Sequence, residues 1–276
     1  MGYSLAILGY DPKVASHFSV EAFTDRLWSS FAELKHVELE TYDIRNVPAW
    51  RSSRAEVCLV HCYAEDFRAH GAELARQFMV TSSFMEIPYN VMIPFVFCRG
   101  AGISREILVS YPSLVDIDDS PSLSDKILLD HWWPGNKGPV TDELYRHLEL
   151  LGETFEVYQF ERHCPELIPS WVQRIETCPF DQYVQRTAGF RFFVMTHPGS
   201  YNGSVVDMAA RRCWVLALRG VPLPDHITSG LVRVFDDLSS LVGFISSSPP
   251  APPVPESITP FDVAVDIMDR AIRRAS

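Results

Sequence analysis

Apolar runs of strand length alternate with helix-like periodicities along the first half of the chain. Residues 21–34, for example, place Phe23, Leu27, Phe31 and Leu34 on one face of a helix. The predicted strands of this half are residues 4–9, 37–44, 57–62 and 92–97, and the predicted helices are residues 21–34 and 66–78. Strands that alternate with helices indicate βαβ units, so we expect a parallel sheet covered on both faces.

A second alternation of the same kind follows a polar linker. Residues 113–125 form a short polar stretch with a proline, which is typical of a boundary between domains. After it, the predicted strands are residues 126–130, 155–160, 192–196, 214–218 and 232–235, and the predicted helices are residues 141–151, 180–187, 204–212 and 237–246. The sequence therefore predicts a second α/β half with the architecture of the first.

The last segment combines a proline-rich stretch with an amphipathic helix. The stretch SSPPAPPVPES follows Ser246 and favours extended polyproline geometry, so we interpret it as a spacer. Residues 260–274 then have helical spacing, with Thr259 as the expected N-cap and Pro260 at the first helical position. We expect this tail to dock on a domain other than the one it left. The predicted divisions are residues 1–122, 123–246 and 247–276.

Composition and charge narrow the classes of function. The chain is 47% hydrophobic and 21% charged, which is ordinary for a soluble globular protein. Its formal net charge is −11, from 24 basic and 35 acidic residues, so it has no overall attraction for nucleic-acid backbones or anionic lipid. A nucleic-acid acceptor would need a local basic patch.

The six cysteines have no CxxC spacing, which favours free thiols in a reducing compartment. No targeting segment or membrane-spanning run is evident, and we expect a cytoplasmic protein with no transmembrane segment.

The strongest local signal lies between a predicted strand and a predicted helix. The stretch MTHPGSYNGSVVD, residues 195–207, places glycines and serines where the strand gives way to the helix. Backbone N–H groups at such a turn, together with the helix dipole, favour a diphosphate. Asp207 follows one turn into the helix and is placed to accept hydrogen bonds from ribose hydroxyls.

Three segments resemble glycosyltransferases with the GT-B fold. The run THPGSYNGSVVDMAARRCWVLALRGVPL is similar to the nucleotide-sugar-binding segment of that family. The run LLDHWWPGNKG resembles the first strand of the family's C-terminal domain, which leads into a basic loop that meets the donor phosphates. The run SLAILGYDPKVASHFSVEAF resembles the first strand and loop of inverting members, with His17 where those enzymes carry their general base.

This resemblance implies a fold and a set of site residues. The fold is α/β, with two Rossmann-like domains that face each other across a cleft and a C-terminal helix that returns to the N-terminal domain. Residues 1–122 would form the acceptor side, and residues 123–246 would bind a nucleoside diphosphate-sugar such as a UDP-sugar. The implied donor-binding residues are Lys137, His197, Gly199, Ser200, Tyr201, Asn202, Gly203, Ser204 and Asp207. His17 would be the catalytic base, with Asp66 and Glu86 as the next candidates.

Two positions depart from the family pattern. The family usually has Glu where this chain has Asp207, and Gly199 occupies the first position of the glutamate pair found in many retaining members. The stereochemical outcome therefore stays open. Each residue also has an ordinary interpretation: a plain turn at 199–204, a loop cap at His197, a solvated Lys137, or a surface His17.

The acidic triplet Asp116, Asp118 and Asp119 resembles the DxD pattern that holds a divalent cation in other glycosyltransferases. It falls in the expected linker, and we interpret it as a solvated hinge. We expect no metal site and no tightly bound cofactor.

Three functions remain open at this stage. The first is glycosyl transfer from a nucleoside diphosphate-sugar to an acceptor hydroxyl. The second is a nucleotide-sugar epimerase or hydrolase on the same fold, and the third is a non-catalytic nucleotide-binding subunit. The acceptor could be a small molecule, a protein, a lipid or a modified base in nucleic acid.

Overall fold

A computed structural model gives the conformation of most of the chain. It describes residues 3–9, 29–78, 92–98, 113, 115–118, 121–130, 139–161, 165–176, 178–195, 203–219 and 230–255, and the single residues 259, 262, 265 and 269. The chain divides into two compact units, one of Met1–Leu114 with Thr259–Ser276 and one of Val115–Ile258. Within these described ranges, every helix is too short or too polar to cross a membrane.

The first unit is built on a four-stranded sheet. Its strands are β1 (Tyr3–Gly9), β2 (Val37–Asp43), β3 (Val57–Tyr63) and β4 (Met92–Cys98), in the order β2-β1-β3-β4. Its helices include α1 (Val47–Trp50) and α2 (Ala64–Phe78), and residues 29–32 are also helical. Leu5, Ala6, Ile7 and Leu8 of β1 are at most 1% exposed, as expected for a central strand covered on both faces.

The direction of β4 differs from the sequence-based expectation. We predicted a parallel sheet, but β4 pairs with β3 antiparallel, with His61 opposite Pro94. An apolar run gives the position of a strand and not its direction, because side chains alternate between faces in either orientation. Among the described strands β4 lies at the edge of the sheet, which is where a strand tolerates the missing N–H of Pro94.

The second unit carries a six-stranded sheet in which each described pairing is parallel. The strands are β5 (Ser124–Leu129), β6 (Glu156–Phe160), β7 (Gln173–Ile175), β8 (Phe190–Val194), β9 (Trp214–Leu218) and β10 (Val232–Phe235). The helices are α3 (Pro139–Glu149), α4 (Phe180–Arg186), α5 (Gly203–Ala210) and α6 (Leu238–Ser246), with a 3-10 turn at Pro165–Leu167. The strand order is β10-β9-β8-β5-β6-β7.

Apolar side chains cover both faces of this sheet. Ile127 and Leu129 of β5 belong to one buried cluster, which includes Leu148 of α3 and Leu241 of α6. Their neighbour Leu128 belongs to a second cluster, which includes residues of α5 such as Val205 and Met208. Because consecutive residues of β5 enter opposite clusters, a continuous apolar run is required there rather than an alternating one.

The proline-rich stretch lies against the second unit. The indole N–H of Trp214 donates to the Pro250 carbonyl at 2.8 Å, and the guanidinium groups of Arg191 and Arg212 donate to the carbonyls of Pro249 and Pro252 at 3.2 and 3.0 Å. Polyproline geometry leaves its own carbonyls without internal partners, so side-chain donors can hold it. Arg191 and Trp214 lie at the amino ends of β8 and β9, and the stretch is therefore fastened there.

The tail groups with the first unit, as expected for a C-terminal helix that returns to the N-terminal half. The described tail residues Asp262, Val265 and Asp269 are helical. The backbone N–H of Asp262 donates to Thr259 Oγ1 at 3.1 Å, which confirms the predicted N-cap.

We predict that Trp214→Phe loosens the proline-rich stretch without disrupting the sheet. The indole packs edge-on against Phe244 with ring centroids 5.1 Å apart, a contact that phenylalanine keeps, whereas the hydrogen bond to Pro250 is lost. The free energy of unfolding should fall by about 1 kcal/mol. Limited proteolysis with a proline-specific endoprotease, which cleaves after proline, should cut residues 249–255 faster than in wild type. Trp171→Phe is the control, and equal cleavage in the two variants would contradict the prediction.

Candidate functional site

The second sheet reverses its winding between β5 and β8. From β5 the chain proceeds to β6 on one side, and from β8 it proceeds to β9 on the other, although β5 and β8 are adjacent. This order is that of a doubly wound dinucleotide-binding sheet, in which ligands bind beyond the carboxyl ends of the strands at the point of reversal. The topology therefore selects one edge of the second unit as the candidate site.

Two of the sequence motifs begin at this point. Leu129 of β5 lies opposite Val194 of β8, and the Asp130 N–H donates to the Val194 carbonyl at 3.0 Å. Residues 131–138 follow Asp130 and lead to α3, while residues 196–202 follow Met195 and lead to α5. The two segments that resemble donor-binding loops thus leave from neighbouring strand ends.

The predicted site residues divide into two groups. Gly203, Ser204 and Asp207 lie in the described helix α5. The others lie outside the described residues: His17, Lys137, His197, Gly199, Ser200, Tyr201 and Asn202. Their roles remain predictions.

Helix α5 presents its N-terminus at the candidate edge. It begins at Gly203, directly after the segment that follows β8. Val205, Val206 and Met208 are fully buried, so the packing of this face holds the helix on the sheet. Backbone N–H groups in the first turn of a helix have no intrahelical acceptor, and the dipole adds positive potential there. This end of α5 can therefore bind an anion.

Asp207 lies in a buried polar cluster between α4 and α5. Asp207 is 3% exposed, and its carboxylate accepts a hydrogen bond from the Tyr183 hydroxyl at 3.3 Å. Arg211 donates to Thr187 Oγ1 at 2.6 Å and stacks 5.8 Å from the Tyr183 ring centroid. Asp207 therefore has a structural role that the sequence interpretation did not include. The four-residue spacing of Asp207 and Arg211 on a helix was the signal that could have indicated it.

The environment of Tyr183 favours its neutral form. Burial raises the pKa of its hydroxyl well above the ordinary value, and the negative charge of Asp207 raises the pKa further, while Arg211 and Ser204 act in the opposite direction. The hydroxyl is thus a stable donor to Asp207 at neutral pH.

A second buried network lies beside the end of β5, and no motif in the sequence indicated it. Gln159 of β6 is fully buried, and its Nε2 donates to the Asp130 carbonyl at 2.9 Å. The Tyr145 hydroxyl of α3 donates to Gln159 Oε1 at 2.5 Å. Asp130 is itself fully buried at the point of reversal.

The first unit has a charged pair at the corresponding edge of its own sheet. Arg45, two residues beyond β2, donates through Nε and Nη2 to both carboxylate oxygens of Asp66, with a shortest distance of 3.0 Å. Asp66 lies in the first turn of α2. This carboxylate, one of the alternative bases, is engaged by a guanidinium, while Glu86 lies outside the described residues.

We predict that Tyr183→Phe reduces the loss of stability at high pH. The folded-state pKa of Tyr183 lies above its unfolded value near 10, so its contribution to stability is complete below pH 10 and is lost as pH rises through the folded value. Denaturant unfolding at pH 8 and pH 11 should show a smaller decrease in the variant than in wild type. Tyr158→Phe is a second test, because burial raises the pKa of Tyr158 to about 12 and its removal should also make the decrease between pH 8 and pH 11 smaller. Equal decreases in wild type and Tyr183→Phe would refute this.

Comparison with solved structures identifies the fold class of the chain. No family model matches the chain, and no curated protein matches its sequence. Among solved structures, the chain is similar to the apo form of the lipopolysaccharide outer core galactosyltransferase WaaB, with 10% identity, 99% of this chain and 100% of that chain covered, and a TM-score of 0.50. It is also similar to MnaA of S. aureus in its structure with UDP, with 12% identity, 98% and 96% covered, and a TM-score of 0.54. At this identity the likeness concerns the fold, and it confirms the predicted GT-B fold class.

Proposed function

We propose that this protein is a glycosyltransferase that moves a sugar from a nucleoside diphosphate-sugar to an acceptor hydroxyl. One observation supports the proposal most directly. The two segments that resemble donor-binding loops follow the adjacent ends of β5 and β8, at the point where the sheet reverses its winding, in a chain with the GT-B fold. The named activity of the galactosyltransferase WaaB and the UDP bound to MnaA support the same class of donor.

The second unit would hold the donor. The first-turn amides of α5, together with Ser204 and the preceding residues His197, Gly199, Ser200, Tyr201 and Asn202, would bind the diphosphate. Lys137 would add a positive charge from the segment that follows β5. Asp207 would accept hydrogen bonds from the ribose, and since it is 3% exposed, its side chain must turn partly outward to do so.

The reaction requires a base and stabilisation of a leaving group. His17 would remove the proton of the acceptor hydroxyl, whose oxygen forms a bond to the anomeric carbon as the bond from that carbon to the diphosphate oxygen breaks. Imidazole ordinarily titrates at about pH 6.5, so it can act as a base near neutrality. Lys137 and the α5 amides would stabilise the charge that develops on the departing nucleoside diphosphate. The proposed chemistry uses no metal and no tightly bound cofactor.

The first experiment tests donor binding. UDP, ADP, GDP and TDP are screened by thermal shift, because a nucleotide at 100 times its Kd adds about 2.7 kcal/mol of stability. Asp207→Asn keeps the size of the side chain but removes its charge, and it should weaken binding of the best nucleotide by about 1–3 kcal/mol.

The control for this experiment is Asp125→Asn, which makes the same change near the amino end of β5, where Asp125 pairs with Arg191. Calorimetry that gives equal affinities for wild type and Asp207→Asn would reject Asp207 as a ribose ligand. Absence of nucleotide binding by wild type would reject the proposed function.

The second experiment tests the base. His17→Ala should lower the transfer rate by roughly 10²–10⁴ while donor affinity stays unchanged, because the donor contacts lie in the other unit. His36→Ala, an exposed turn residue of the same unit, serves as the control. If His17→Ala retains more than about a third of the wild-type rate, a smaller loss than removal of a general base gives, the base lies elsewhere.

A reaction without acceptor distinguishes transfer from the epimerase and hydrolase alternatives. A transferase consumes a nucleotide-sugar only when an acceptor hydroxyl is supplied. Epimerisation or hydrolysis of the donor alone would assign the chain to one of those activities.

A further inference from the structure

A single buried side chain contacts the protein on both sides of residues 131–138. Gln159 of β6 donates from Nε2 to the carbonyl of Asp130, the last described residue before this segment. Its Oε1 accepts from Tyr145 of α3, the helix that begins at Pro139 directly after the segment. Gln159 is fully buried and Tyr145 is 5% exposed, so water does not compete for these bonds.

The chemistry of the amide explains why one residue can make both bonds. A glutamine side chain offers a donor and an acceptor at once, which lets it bind a carbonyl and a hydroxyl together. Gln159 lies between Tyr158 and Phe160 on β6, and Val157, two residues earlier, belongs to the apolar cluster that also contains Tyr145. An apolar side chain there would fill the same volume but would remove the donor that Gln159 supplies to the Asp130 carbonyl. Gln159 therefore holds the end of β5 in addition to filling the core.

The location of the two hydrogen bonds of Gln159 indicates that they hold the end of β5 in position. Asp130 follows β5 at the reversal point, and its N–H is bound to the carbonyl of Val194 of β8. The same residue is thus held to β8 through its N–H and to β6 and α3 through its carbonyl. Small displacements of ligand-holding groups are costly, since a shift of about 1 Å can reduce a rate on the order of 100-fold.

We propose that Gln159 is a positioning residue for the nucleotide-sugar, which fixes the carboxyl end of β5 and helix α3 in the arrangement that donor binding requires. This inference rests on the proposed function of the second unit. Gln159 and Tyr145 act through Asp130 and the flanks of residues 131–138 and do not touch the donor. Their loss therefore affects donor binding and leaves the remainder of the fold in place.

The test uses two variants of the full-length chain. Tyr145→Phe removes the hydroxyl and keeps the ring, including its edge-on contact with Trp171 at a centroid distance of 6.3 Å. The double variant Tyr145→Phe/Gln159→Met removes both side-chain polar groups and keeps the volume, and it takes from the Asp130 carbonyl the donor that Gln159 supplies, so some loss of stability is expected. If the double variant does not fold, the single variant carries the test.

The matched control is Tyr158→Phe. Tyr158 also lies on β6 and also loses one hydroxyl hydrogen bond, to Glu156 at 2.8 Å on the surface. It is adjacent to Gln159 in the strand, so its side chain lies on the opposite face of the sheet. A general effect of removing a tyrosine hydroxyl from this strand would appear in the control as well.

Three measurements are compared across wild type, the variants and the control. Calorimetry with UDP, or with the nucleoside diphosphate that binds wild type best, should show Kd raised on the order of tenfold in the double variant and unchanged in Tyr158→Phe. Hydrogen exchange without nucleotide should be faster in residues 131–138 of the double variant, with residues 214–218 of β9 unaffected. Transfer assays should show a raised KM for the donor and an unchanged KM for the acceptor.

The outcomes separate this inference from the function on which it rests. A double variant that binds the nucleotide within twofold of wild type and exchanges normally at residues 131–138 overturns the inference, while nucleotide binding by wild type still supports the proposed function. Equal weakening in Tyr158→Phe also overturns it, because the effect would then be general to the strand. Failure of wild type to bind any of the four nucleotides overturns the proposed function and this inference together.

Discussion

The parallel pairing of β5 with β8 is the constraint on which the candidate site depends. These strands are neighbours in the sheet but are separated in sequence by α3, β6, β7 and α4, and the chain leaves them in opposite directions. Their apolar runs make the pairing possible, because Leu128 and Phe193 enter one core cluster while Leu129 and Val194 enter the other. Without that two-sided burial, Asp130 and Met195, the last described residues before segments 131–138 and 196–202, would not lie at neighbouring strand ends.

Buried polar groups then fix the surroundings of this strand pair. Asp207, Tyr183 and Arg211 form a cluster beside α5, and Tyr145 and Gln159 form another beside the end of β5. Buried polar groups cost free energy unless they are satisfied, so the hydrogen bonds within each cluster favour one defined geometry. Both lie next to the elements that would hold a diphosphate, whereas the proline-rich stretch is fastened at the amino ends of β8 and β9. The edge of the second sheet that holds the proline-rich stretch is thus opposite to the edge that would bind the ligand.

The hydrophobic pattern predicted much of this fold from particular residues. The bounds of β9 and β10 agree with the predicted 214–218 and 232–235, and a charged residue directly after each strand, Arg219 and Asp236, marks where it ends. Helix α1 and strand β7 were missed, since four and three residues are too short for a period to appear. The antiparallel direction of β4 could not be predicted, because the hydrophobic pattern of a strand is the same in either direction.

The site was less predictable than the fold. The sequence indicated Gly203, Ser204 and Asp207 because a glycine-rich turn before a helix is a local pattern, and the contact of Asp207 with Tyr183 joins residues 24 apart. Likewise, Tyr145 and Gln159 are 14 residues apart on a helix and a strand, with no motif that links them. Contacts of this kind arise from tertiary packing, which periodicity does not encode.

The most direct test of the central claim is hydrogen exchange of the wild-type protein with and without a saturating nucleoside diphosphate. A donor site at the carboxyl edge of β5 and β8 predicts slower exchange at the start of α5, at residues 203–206, and at the strand ends around Asp130 and Met195. Exchange at the amino ends of β8 and β9 should not change. Protection confined to those amino ends, or to the first unit, would contradict the assignment of the donor site to the carboxyl edge of β5 and β8.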